Sequence, residues 1–185
     1  MSALFLNGCT SAGKTSIARA LQDLLDPPHL RLGIDDAFAL LPTKLHNHAD
    51  GFFFDTDARG EIRLNHGPVG LSLLRAHARM AAVLAKGAAG VILDEVVLEP
   101  VLRDDWDQAL AGCAVFKVGV HCALPELERR ERERGDRLIG QARGQFGLVH
   151  AGMSYDLEVD TTSASPADVA AQIADAYLRW RLTDA

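Results

Sequence analysis

Cysteine is scarce and shows no pairing pattern: Cys9, Cys113 and Cys122 form an odd set, far apart in the chain and without a CxxC step. That argues against a disulfide framework and against a Cys/His zinc site, and it predicts a reducing, cytoplasmic setting. Long apolar runs are missing as well. Stretches such as Val91–Leu93 and Met80–Ala85 fall far short of the ~20 residues that span a bilayer, and no basic leader opens the chain. A soluble, unprocessed protein with no membrane partner is expected. Positive charge is in deficit, with 19 Lys and Arg against 25 Asp and Glu and a formal net charge of -6. This balance disfavours the broad phosphate-backbone contacts of nucleic-acid binding. There is no internal repeat, low-complexity tract or linker. The 185 residues, 48% apolar and 24% charged, therefore predict one domain over 1–185 with a core that needs no staples. A homo-oligomer stays open, because a modest apolar contact patch leaves no periodic signature.

What is present is a regular alternation of apolar strands and helix-period segments. Leu4–Leu6 ends in Asn7-Gly8 and is followed by Ile17, Leu21, Leu24 and Leu25 at helical spacing, which reads as strand, glycine turn, helix. Pro27-Pro28 stops that helix, and Leu30–Ile34 forms a second strand that runs into Asp35-Asp36. Residues 36–66 read as an insert for substrate, with a small hairpin. A helix over Val69–Lys86 leads to the strand Gly90–Asp94, then come a helix at Asp104–Leu110, strands at Val115–His121 and Asp156–Asp160, and a closing helix capped by Ser165, Pro166 and Asp168. Such alternation predicts a three-layer α/β fold with a central parallel sheet covered by helices on both faces. Ligands in such sheets bind beyond the carboxyl ends of the strands.

Gly8-Cys9-Thr10-Ser11-Ala12-Gly13-Lys14-Thr15 matches G-x-x-x-x-G-K-[ST] in full, after a strand and at the opening of a helix, as that loop requires. Chance alone would produce the string in about one in a hundred chains of this length. Glycines let backbone amides wrap a phosphate chain, and the helix N-terminus adds partial positive charge. Lys14 reaches the β/γ oxygens and the Thr15 hydroxyl can ligate magnesium. The expected nucleotide contacts are Gly8, Ser11, Ala12, Gly13, Lys14, Thr15 and Ser16, with ATP, or alternatively GTP, as donor and Mg2+ as cofactor. Asp94 closes the GVILD strand, where an acid holds the metal directly or through water. Glu95 points the other way if the strand continues, toward an acceptor.

Asp35 comes off the second strand at the sheet's carboxyl edge, and it is the expected base that accepts the proton of an acceptor hydroxyl. Asp36 is assigned to capping the Ala37–Leu41 helix or to supporting the acceptor. Phe52, Phe53 and Phe54 either line an apolar acceptor pocket or form the insert's own core. Residues 126–147 begin with a densely charged helix, and opposite charges fall four apart at Glu126/Arg130, Glu128/Arg132 and Glu133/Arg137. Arg130, Arg134 and Arg137 share one helical face, and Gly135 and Gly140 permit movement. Beside a phosphate loop this suits a lid that brings Arg134 and Arg137 to the transferring group. His77 reads as a packed core residue, and His46, His48 and His66 lack ligand spacing.

LNGCTSAGKTSIARALQ, the LGID stretch ending at Asp35, VILDEV, ERERGDR with its following glycine, and YDLEVDTT together resemble the chloramphenicol phosphotransferase-like branch of the P-loop kinases, over most of the chain. The resemblance implies a single α/β domain of the three-layer P-loop NTPase or kinase-like fold that transfers the γ-phosphate of ATP to a hydroxyl of an antibiotic. By that resemblance Asp35 matches the catalytic base, Gly8 to Ser16 the phosphate loop, and Arg134 and Arg137 the lid arginines. A chloramphenicol-like compound, a nucleoside-type antibiotic and a metabolite are all compatible acceptors. A nucleoside or nucleotide kinase and a non-catalytic nucleotide-binding regulator are the rival readings.

Overall fold

A computed structural model describes residues 2–87, 89–135 and 138–183. The elements in chain order are β1 (Ser2–Asn7), α1 (Lys14–Leu24), β2 (His29–Gly33), α2 (Ile34–Leu40), β3 (Phe52–Thr56), β4 (Ile62–His66) and α3 (Pro68–Ala85), followed by β5 (Gly90–Glu95), α4 (Pro100–Ala109), β6 (Ala114–His121), α5 (Leu124–Arg134), α6 (Gln141–Phe146), β7 (Leu157–Asp160) and α7 (Pro166–Thr183). Five strands form one parallel sheet in the order β2-β5-β1-β6-β7, and β3 and β4 pair as a separate antiparallel hairpin. The expected three-layer fold is the observed one.

The sheet is central because its strands are apolar on both sides. In β1, Leu4 and Leu6 join Ile17 and Leu21 of α1 and Ile173 and Tyr177 of α7 in one core, while Ala3 and Phe5 join Ala78 and Ala81 of α3 and Trp106 of α4 in the other. Successive side chains of a strand alternate between faces, so a run with no polar position needs cover on both. Phe5 meets Trp106 edge to face with ring centroids 5.1 Å apart. Each such fully buried side chain contributes roughly 1.5–3 kcal/mol. β1 lies between β5 and β6, so the loop after Asn7 emerges from the middle of the sheet's carboxyl edge.

Two helix starts differ from expectation by three residues or more. α2 begins at Ile34 rather than Ala37, because the Asp36 carboxylate accepts the Gly33 N–H at 2.7 Å and so starts the helix three residues earlier. Asp35 therefore sits in a first helical turn instead of at a strand end. α4 begins at Pro100, since proline suits an opening turn whose N–H has no partner to lose. α7 carries the expected cap, with the Asp168 N–H donating to Ser165 Oγ at 3.2 Å. All three cysteines are free thiols. Among the described residues, no helix is long and apolar enough to cross a membrane.

Candidate active site

The loop Gly8–Thr15 needs its glycines for two separate reasons. Any Cβ at Gly8 would run into the Val120 carbonyl of β6, and Gly13 has φ 87°, in the region glycine tolerates best. Ser11 also turns left-handed, with φ 61°, and its Oγ is buried with no hydrogen-bond partner among the described residues. A buried hydroxyl with nothing to bond is costly in an ordinary loop and well placed in one built to receive phosphate oxygens. Gly13 caps α1, so the N–H groups of that helix's first turn open toward the same space.

Lys14 is buried at this mouth. Its Nζ donates to the Cys9 carbonyl at 2.9 Å and lies 4.0 Å from Asp94 Oδ1. Desolvation lowers its proton affinity, opposed by the Asp94 charge. Burial pushes the Cys9 thiol up to about 11, so it stays neutral and inert. Thr15 Oγ1 donates to Asp94 Oδ2 at 2.6 Å, and Arg31 Nη1 stands 3.9 Å from the same oxygen. A hydroxyl and a carboxylate converging in this way are hard oxygen donors, and they suit a magnesium ion that keeps most of its waters.

One cavity of about 310 Å³ joins this loop to an apolar sleeve. Ser11, Gly13, Lys14, Thr15, Ser16 and Asp94 line it from the loop and β5, Phe38, Phe52, Leu64, Leu74, Val96, Leu98 and Leu102 give it an apolar wall, and Asp35, Arg130 and Arg134 line it too. Of the residues expected from sequence, the structure thus brings together five of the loop, both Asp94 and Asp35, Phe52 and Arg134. Gly8 and Ala12 shape the loop from behind, and the Ala12 carbonyl accepts from Thr161 Oγ1 at 2.9 Å.

Others lie elsewhere. Asp36 is not among the residues lining the cavity; its carboxylate is engaged by the Gly33 N–H and by Arg31 Nη2 at 3.2 Å. Phe53 and Phe54 are not among the residues lining it; Phe53 points to the opposite face of β3 and Phe54 lies farther along the hairpin, 37% exposed. Glu95 does face away from Asp94, but toward a buried partner, binding His77 Nε2 at 2.7 Å. Burial raises its carboxyl to about 6, against the lowering effect of His77. Arg137 lies outside the described residues.

Three features escaped the sequence. Arg130 reaches the loop itself: its Nη2 donates to the Thr161 carbonyl at 2.6 Å, and its Nη1 stands within 3.8 Å of where a Gly13 Cβ would be. The shared face with Arg134 was a usable signal for it. Gln145 of α6 accepts the Thr10 N–H at 2.7 Å and ties that helix to the loop, with no sequence signal. Glu131, fully buried, accepts the Gly140 and Ala142 N–H groups at 2.8 Å each, and so anchors α6 to α5. Glu131→Ala would orphan both donors. It is expected to lower unfolding free energy by about 2–4 kcal/mol, read from the urea midpoint.

Behind the loop, Asn7 holds the end of β1 by donating to Val149 O and Tyr155 Oη at 2.7 and 2.8 Å, and by accepting from the Val97 N–H at 2.9 Å. Tyr155 in turn bonds His150 Nδ1 at 2.7 Å, and His150 stacks on His121 at 4.0 Å. Burial first, then His121, lower His150 from 6.5 to about 4, with Glu158 opposing. The unfolded chain therefore binds a proton that the folded one refuses, so stability falls as pH drops from about 6.5 to about 4. Across that window the urea midpoint should fall more steeply with decreasing pH in the native chain than in His150→Gln, with Glu95 acting in the opposite sense in both.

Residues 2–178 match the model of the family described as chloramphenicol phosphotransferase-like protein. The chain belongs to this family. A relative from Mycobacterium tuberculosis (strain ATCC 25618 / H37Rv), provisionally named an O-phosphotransferase, is 35% identical over 184 residues, covering 94% of this chain and 81% of the relative. Among solved structures, APS kinase from Mycobacterium tuberculosis in complex with AMPPNP and APS superposes with a TM-score of 0.68 at 17% identity, over 96% of this chain and 97% of that one. A gluconokinase from Sinorhizobium meliloti gives 0.65 at 15% identity, over 97% and 93%. Those two likenesses establish the P-loop kinase fold. Membership of the family makes the chain a small-molecule kinase, an O-phosphotransferase.

Proposed function

We propose that this kinase moves the γ-phosphoryl group of ATP, with Mg2+, onto the hydroxyl of a small, largely apolar alcohol of the antibiotic type. The observation that carries the reading is a single cavity shared by the phosphate loop, Asp35 and an apolar sleeve. In this reading, Asp35 takes the hydroxyl proton while the alcohol oxygen forms a bond to the γ-phosphorus. The bond from that phosphorus to the β–γ bridging oxygen breaks, its electron pair leaves with ADP, and the product is a phosphate monoester. Lys14 and the loop amides hold the β and γ oxygens, and Arg130, Arg134 and Arg137 neutralise charge on the group in flight. Thr15 and Asp94 would hold the magnesium, which supplies charge neutralisation at the phosphates. Residues 36–66 act as the acceptor insert and 126–147 as the lid.

The test is a mass-spectrometric search for compounds that gain a phosphate when the purified protein, ATP and magnesium meet a cell extract and a panel of hydroxyl compounds. A product that depends on all three components is expected. Tight ATP binding without any phosphorylated alcohol would overturn the transfer reading.

A further inference from the structure

The short helix α6 touches the phosphate loop on one side and the hairpin on the other. Its Gln145, buried and lining the cavity, accepts the Thr10 N–H of the loop at 2.7 Å. Toward the hairpin the contact is backbone to backbone. The Ile62 N–H of β4 donates to the carbonyl of Gly140, the residue that caps α6, at 3.1 Å. A Cβ at Gly140 would strike the Gly60 carbonyl and one at Gly144 would strike the Ile62 carbonyl, so neither position has room for a side chain.

What α6 holds there is a wall of the cavity. Phe52 of β3 and Leu64 and His66 of β4 line it, and Phe52 meets Phe38 edge to face at 4.5 Å. β3 and β4 pair with each other and not with the main sheet, so their place over the cavity depends on contacts such as those with α6. Glu131 fixes α6 in turn through the Gly140 and Ala142 N–H groups. A continuous set of contacts therefore runs from Thr10 through Gln145 and α6 to Ile62.

A nucleotide acts on the loop end of that set. Ser11 and Gly13 hold positive φ and the Ser11 hydroxyl is buried without a hydrogen-bond partner among the described residues, costs that bound phosphate offsets. A loop stilled by phosphate keeps the Thr10–Gln145 bond made, and a helix held in this way leaves less entropy to be lost when the hairpin orders.

We propose that α6 keeps the phosphate loop and the acceptor hairpin in register, with Gln145 and Gly144 as positioning residues, so that a bound nucleotide orders the acceptor wall before the alcohol arrives. This rests on the nucleotide-binding half of the reading above and is independent of which alcohol is phosphorylated.

Amide hydrogen exchange followed by NMR, with AMPPNP and Mg2+ as the probe, reads the linkage at Ile62 and needs no acceptor. AMPPNP is supplied at about a hundred times the Kd measured for each variant, so that all are equally saturated. In the unaltered protein the nucleotide should slow the Ile62 amide by about tenfold or more. Gly144→Ala leaves Gln145 and the loop in place, so AMPPNP affinity should stay within about threefold and the Thr10 amide should still be slowed, while the effect at Ile62 falls below about twofold. In Gln145→Leu the effect at Ile62 should likewise fall below about twofold. Slowing that came only from global stabilisation would be equal in all three proteins, and so could not produce this pattern. If Gln145→Leu no longer folds or binds AMPPNP, Gly144→Ala carries the test alone.

Full slowing of Ile62 in either saturated variant, or none in the unaltered protein with AMPPNP bound, overturns the inference and leaves the transfer reading intact. Failure of the unaltered protein to bind AMPPNP overturns the transfer reading first and this inference with it.

Discussion

Asp35→Ala is expected to lower turnover by about 10²–10⁴-fold while leaving nucleotide affinity nearly unchanged, which is the range for losing a positioned general base. The separation follows from geometry. Asp35 is in the first turn of α2 and lines the cavity, whereas the loop that grips the phosphates is built from residues 8–15 between β1 and α1. Single-turnover kinetics with a phosphorylatable alcohol and calorimetry with a nonhydrolysable ATP analogue measure the two quantities independently. Turnover within tenfold of the unaltered protein would remove Asp35 from the chemistry. Asp36→Ala is the control: its carboxylate caps α2 through the Gly33 N–H, so it should cost about 1 kcal/mol of stability and little catalysis once folded.

Lys14→Met should act oppositely on binding and on folding. Turnover is expected to fall by about 10²–10³-fold, the cost of deleting one preorganised charge donor, and the thermal stabilisation by nucleotide should largely vanish. An unaltered site at a hundred times its Kd gains about 2.7 kcal/mol from bound ligand. The free protein, however, should melt no earlier than the parent. Lys14 is buried, desolvation already disfavours its charge, and its nearest carboxylate oxygen is 4.0 Å away, so a methionine of similar length removes a desolvated cation at the cost of one hydrogen bond to the Cys9 carbonyl, which still accepts from the Ala12 N–H at 3.3 Å. Thermal scans with and without the nucleotide analogue check both halves. A variant that kept the nucleotide shift would show that the loop binds without its lysine.

The opposed signs reflect what a phosphate loop is. Ser11 Oγ is buried with no hydrogen-bond partner among the described residues, Ser11 and Gly13 both have positive φ, and Lys14 is buried, so the free protein carries costs that a triphosphate would repay. The surrounding anchors, Asn7 under the loop and Gln145 above it, keep those residues in place.

Much of this was legible in the chain because it depends on local spacing. The glycine-lysine loop between an apolar run and a helical period, the strand ending at Asp94, the hairpin after Phe52 and the cap at Ser165 are each written within a dozen residues. The periods of 2 and 3.6 report such segments reliably. Adjacent acids are a different matter. In Asp35-Asp36 and Asp94-Glu95, one member of each pair lines the cavity and the other turns to a backbone amide or a buried histidine, and composition is the same either way.

The sequence by itself determined the alternating architecture, the phosphate loop and the presence of acids at strand ends, since all three follow from near-neighbour spacing. Only the tertiary structure decided that Phe52 and not Phe53 or Phe54 enters the sleeve, that Arg130 lies against the loop, that Glu131 is buried under α6, and that Gly140 meets Ile62. The reason is physical: where a side chain points depends on the register of its element and on what packs against it, and those partners lie tens of residues away along the chain.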